Sequence, residues 1–167
     1  MTLRLPPSIN DIRVTTSEVP VPKSSIRCRP PHAGRPIRSS SDAIAVVSLA
    51  MHRPLEFETV GFFLDDQGRS NTITVVTGTI EPDSVIEVAE CLSLAAEASP
   101  TLCGLVLATV RPGSDHVHTA ILPGDIDRWI EASRLAEAHG IELVEWFVVG
   151  PSGVACPREF LGDPQRW

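Results

Sequence analysis

The sequence predicts an α/β domain, a mixed β-sheet flanked by helices, behind a disordered N-terminal arm. Three observations lead there. Stretches with apolar residues at helical spacing alternate with β-branched stretches in the order α-β-β-α-β-α-β-β. Residues 102–110 (LCGLVLATV) and 141–149 (IELVEWFVV) are near-continuous apolar runs, as expected of strands covered on both faces. The first forty residues hold seven of the fifteen prolines, and seven basic residues against two acidic ones. Their net charge is +5, while the remainder of this chain of net charge −7 carries −12.

Proline fixes φ and has no amide donor. Pro6-Pro7, Pro20, Pro22 and Pro30-Pro31 therefore exclude residues 1–36 from regular elements, and a basic disordered arm is expected there. The domain is expected over 37–161, with a short C-terminal tail at 162–167. Ser39 to Asp42 is a cluster of helix-capping residues, and a helix over 40–51 should turn Ile44, Val47, Ser48 and Met51 inward before Pro54. Residues 57–64 and 71–77 read as a hairpin around the turn Asp65-Asp66-Gln67-Gly68. Pro82 and Asp83 open a second helix with Val85, Val88, Ala89, Leu92 and Ala96 on one stripe. A third helix begins near Asp125, with Ile126, Trp129, Ile130, Ser133 and Ala136 inward, and stops at Gly140. After the turn 150–153, residues 154–160 read as a short last strand.

Composition excludes several classes. With 167 residues, 43% of them apolar, the chain can bury a core. No apolar run approaches the roughly 18 residues of a membrane-spanning helix, so no membrane association is expected. Residues 1–14 lack an apolar secretory core, and the four cysteines form no CxxC pair. A cytoplasmic protein with reduced thiols is the expectation. Neither GxGxxG nor GxxxxGK[ST] occurs, so no glycine-rich phosphate loop is present. The acidic domain disfavours duplex binding, which leaves nucleic acid as a partner only through residues 1–40. That arm has no aromatic residue on which a base could stack.

Several segments, in order, carry a family resemblance. They are Arg35-Pro-Ile-Arg-Ser-Ser-Ser-Asp42, Glu58-Thr-Val-Gly-Phe-Phe-Leu-Asp-Asp66, Thr77-Gly-Thr79, Leu107-Ala-Thr-Val-Arg-Pro-Gly-Ser-Asp115 and residues 140–150 (GIELVEWFVVG). From about Gly34 to Phe160 the chain resembles the RadC-like branch of the JAB/MPN (JAMM) metalloprotease-type domains. Active members hold zinc through a His-x-His pair and the aspartate of a Ser-x-x-Asp motif, with a glutamate as general base. The resemblance places Glu58 at the general base and Asp125 at the aspartate ligand. Thr109 and Arg111 stand at the histidines, Leu122 at the serine, and Trp146 at a histidine often found on the next strand.

A guanidinium stays protonated and cannot ligate zinc, and an alkyl side chain cannot polarise a carbonyl. The resemblance therefore implies a degenerate, non-catalytic domain acting through a protein partner, with no cofactor and with Arg111 supplying the missing positive charge. Glu58 and Asp125 would otherwise face each other, so Arg111 should pair with Glu58, Asp125 or both, unless it is an exposed loop arginine. The alternative is a zinc hydrolase or isopeptidase with a shifted site, formed by His116, His118 and Asp125 with Glu58 as base.

The remaining candidates have plainer readings. Trp129 and Trp146 fit the core, while Trp167 could make a protein contact. Cys91 and Cys103 read as small buried hydrophobes, and Cys156 as a possible reactive thiol. His139 sits where a cation would complement a helix C-terminus.

Overall fold

A computed structural model describes residues 35–113 and 121–167. The expected arm, except for its last two residues, and His116 and His118 lie outside the described residues. Helix α1 (Ser40–Ala50) starts on a reciprocal cap. The Ser39 hydroxyl accepts from the Asp42 amide at 3.2 Å and donates to the Asp42 carboxylate at 2.8 Å. Strands β1 (Glu58–Asp65) and β2 (Ile73–Thr77) form the expected hairpin. Its turn is closed by Asp65, whose carboxylate accepts from the amides of Gln67 and Arg69 at 2.9 and 2.8 Å.

Helix α2 (Ser84–Ala96) buries all five residues of the expected stripe. It comes so close to β1 that a Cβ on Gly61 would lie 2.4 Å from a Leu92 methyl. Strand β3 (Leu102–Val110), helix α3 (Asp125–Ala138) and strand β4 (Glu142–Gly150) follow. Strands β3 and β4 are parallel, and α3 lies between them in the chain. The chain then turns into β5 (Gly153–Ala155) and a 3-10 turn, Pro157–Leu161.

The sheet order is β2-β1-β3-β4-β5, antiparallel except for the β3–β4 pair. Side chains alternate across it and build two separate cores. One, under α1, contains Val60, Phe62, Val106, Ala108, Val110, Phe147 and Val149. The other, under α2 and α3, contains Leu105, Leu107, Trp129, Trp146 and Val148. Trp129 and Trp146 are thus core, as their segments indicated. Among the described residues no helix is long and apolar enough to cross a membrane.

Four expectations are corrected. The last strand ends at Ala155, because the proline at 157 has no amide to donate and opens a 3-10 turn instead. Ile130 is half exposed on α3. Cys91 and Cys103 are exposed rather than buried, on the outer side of α2 and near the start of β3. In α1 the buried residues are Ala43, Val46 and Val47, while Ser48 is exposed.

The C-terminal residues pack inward. Trp167 lies against the α1-side core and donates from Nε1 to the Ser40 hydroxyl at 3.0 Å. Arg166 donates to the Leu143 carbonyl at 3.0 Å and stacks 5.4 Å from the Trp129 ring centroid. The Trp167 indole N–H is therefore engaged within the chain, while the residue stays partly exposed.

Candidate functional site

The ends of the parallel strands β3 and β4 and the start of β1 lie at one end of the sheet, where two polar centres form. The first is built on Asp125, wholly buried in the first turn of α3. Its carboxylate accepts from the Leu122 amide at 2.7 Å, and its own amide donates to the Leu122 carbonyl at 3.1 Å. Position 122 therefore acts through its backbone, and its alkyl side chain adds no polar group.

Arg111 follows β3 and is aimed by a backbone bond, its amide donating to the Val149 carbonyl at 2.8 Å. Its guanidinium spans the Asp125 carboxylate with two bonds, 2.6 Å to Oδ2 and 3.0 Å to Oδ1. This planar fork-to-fork geometry is the strongest form of a charged hydrogen bond. Arg128, one turn along α3, adds a 3.2 Å contact to Oδ1 and holds Asp83 with its Nε at 2.7 Å. A carboxylate at a helix N-terminus is also favoured by the helix dipole.

Thr109 and Trp146 complete this centre. The buried Trp146 indole donates to the Thr109 hydroxyl at 3.0 Å, and the Arg111 guanidinium carbon sits 6.0 Å from the Trp146 ring centroid. Thus Thr109, Arg111, Asp125 and Trp146 converge, together with the backbone of Leu122.

Glu58 does not join them. In the β1–β3 ladder it is opposite Val110, not Thr109. Val110 and Val60 belong to the α1-side core, so alternation turns Glu58 toward α1, while Thr109 faces α2 and α3. Glu58 is fully buried and takes both its observed bonds from His52: the amide at 2.8 Å and ring Nδ1 at 2.5 Å. The hydrogen bond that His52 gives to the Glu58 carboxylate, and then the charge of that carboxylate, raise the His52 pKa above the ordinary imidazole value. The His52 side chain is 52% exposed. The expectation that Glu58 and Asp125 face each other is therefore corrected: each carboxylate has its own partner, His52 for Glu58 and Arg111 for Asp125.

Sequence reasoning missed His52 and Arg128. A histidine six residues ahead of a strand glutamate has no motif spacing, and only the α1–β1 turn brings the two together. Arg128 did carry a legible signal, since it stands three residues after Asp125 on a helix, where side chains are neighbours.

The other candidates are placed as follows. His139 is the C-cap residue of α3, and its Nδ1 lies 2.6 Å from Glu97. Cys156 is buried. Burial first, then the charges of Glu145 and Glu159, push its thiol up to about 12, so it is not a reactive thiolate near neutral pH. It adjoins a buried ion pair in which Arg158 holds Glu145 Oε2 at 2.9 and 2.7 Å. Among the described residues no group of three or more His, Cys, Asp or Glu is arranged to hold a metal ion. No protein-family model matches the chain, and no curated protein sequence is detectably similar to it.

Proposed function

We propose that the chain is a non-catalytic domain of the RadC-like JAB/MPN type, working by binding a protein partner in the cytoplasm. The observation that supports this is the two-pronged seat of Arg111 on Asp125. Zinc needs a free carboxylate oxygen and neutral or anionic donors. At the position the resemblance gives to the second histidine stands a permanent cation, and both oxygens of the ligand-position aspartate are engaged. On this reading Arg111 supplies the charge that the metal would have supplied. The opposite facing of Glu58 supports the same conclusion, since a general base must reach the proton it abstracts.

The experiment is the zinc content of the full chain, purified without chelator, beside a His116→Ala/His118→Ala double variant. No zinc in either is expected. About one zinc per chain, lost in the double variant, would overturn the proposal. Peptide and isopeptide cleavage abolished by Glu58→Gln would then identify a hydrolase. Nucleic acid remains a further partner class through residues 1–40, since the basic charge is concentrated there.

A further inference from the structure

The two faces of the sheet are unequally covered. Strands lie about 4.8 Å apart, so five of them span roughly 19 Å, about twice the ~10 Å diameter of a helix. Helices α2 and α3 share one face. On the other, α1 is the one α-helix among the described residues. Beside it a cleft of about 240 Å³ is left over β4 and β5, walled by Ile44, Val47, Met51, Phe147, Val149 and Val154. Ile44, Val47, Ser48 and Met51, the face of α1 that periodicity marks as inward, all line this cleft. The helix thus presents an amphipathic stripe to a space that no described element fills.

The cleft adjoins a strand edge that no described strand covers, because β5 is the last strand of the sheet. The Val149 carbonyl accepts from Arg111, on the β3 side, so the backbone groups of Val149 turn away from β5. The facing pair Val149–Val154 is then the non-hydrogen-bonded kind, and the N–H and C=O of Val154 point outward from the sheet. Val154 is 41% exposed and lines the cleft. One residue therefore offers a free donor, a free acceptor and an apolar side chain together.

Charge narrows the occupant. Arg53 lines the cleft, is exposed and has no hydrogen-bond or ion-pair partner among the described residues. Among the described residues no carboxylate lines the cleft, although the residues after the first forty carry a net −12. We propose that this edge and cleft take an extended peptide segment of a partner protein, bearing an apolar side chain and a carboxylate. Its backbone pairs with Val154 as an added strand, its apolar side chain enters the cleft, and its carboxylate meets Arg53. A second copy of the chain fits less well, since two chains of net charge −7 repel. The inference deepens the reading of the chain as a protein-binding domain and names the chemistry of the partner.

The test is amide NMR of the full-length ¹⁵N-labelled chain, titrated with a capped peptide of sequence Asp-Val-Ile-Val-Asp and with its lysine-flanked counterpart. The Val154 amide should move in the titration. The aspartate peptide should bind about two- to fivefold tighter than the lysine peptide, as one exposed ion pair allows. Arg53→Glu should cancel or reverse that preference, and Val154→Pro should abolish binding by removing the edge N–H. An unmoved Val154 amide at millimolar peptide, or equal binding of the two peptides, would overturn the proposal. Concentration-dependent shifts without peptide would overturn it in favour of a second copy. Hexanoate reproducing the cleft shifts while the Val154 amide stays still would overturn it in favour of a small carboxylate. The zinc measurement is independent: a metal-loaded chain that still binds at Val154 would overturn the non-catalytic reading and leave this one standing.

Discussion

Replacing Arg111 with alanine removes both guanidinium bonds from a carboxylate that has no contact with water. Breaking a buried ion pair from one side usually destabilises by about 3–5 kcal/mol, because the remaining charge is left without compensation. Here two partners remain on Asp125, the Leu122 amide and Arg128, and the Arg111 side chain is itself 11% exposed. Both features lower the expected loss, to about 2–3 kcal/mol. For a domain of this size that corresponds to a fall in Tm of roughly 5–10 °C.

Urea unfolding followed by far-UV circular dichroism measures the loss, and a cycle with Asp125→Ala isolates the pair. The coupling should be about 2 kcal/mol, so the double variant should be much less unstable than the two single losses combined. Arg111→Lys should recover only part of the loss, since an ammonium cannot span both oxygens. A single-variant loss below about 0.5 kcal/mol, or strict additivity in the cycle, would falsify the claim that Arg111 holds Asp125 as a buried counter-charge.

Two further outcomes follow from the same geometry. The folded pKa of His52 is raised, so the stabilisation it gives is fully present below the unfolded value of about 6.5 and is lost as pH rises through the folded value. Thermal unfolding between pH 5.5 and 8.5 should show wild type losing ground to His52→Gln on the alkaline side, and parallel Tm curves would contradict the assignment. Arg158→Met should destabilise by about 3–5 kcal/mol, because the Glu145 carboxylate is then buried without its cation. Adding Glu145→Leu should restore most of that loss in urea unfolding, and no recovery would show that the pair is not the cause.

The fold was legible where periodicity was strong. The stripe from Val85 to Ala96 and the apolar run 102–110 specify their elements without help from the rest of the chain. The face of α1 was harder to read, because its apolar residues cover more than one side. Tertiary packing selects Ala43 and Val46 for burial, while Ile44 and Met51 flank open space. The expected strand over 154–160 stops short because Pro157 imposes a tighter turn.

At the site, the resemblance sets Arg111 near two carboxylates, and its pairing with Asp125 is one of the arrangements that placement allows. The partner of Glu58 could not be anticipated. Which face a strand residue presents depends on register, and a one-residue difference between facing Thr109 and facing Val110 sends its side chain to the opposite side. No pattern in the sequence records that register.

The division of the interior by the sheet has a consequence for how this molecule tolerates change. Thr109, Arg111, Leu122 and Trp146 belong to the α2–α3 side or to the loop that leads into α3. The open edge and cleft lie on the α1 side. The two sides meet through the sheet backbone, as in the Arg111 amide bond to the Val149 carbonyl, and side-chain changes on one side that leave such bonds intact combine nearly independently with changes on the other. The domain therefore behaves as two half-interiors with a common wall, and one can be rebuilt while the other keeps its shape. The α2–α3 side is stiffened by the ion pairs on Asp125, and the α1 side can vary without loosening them.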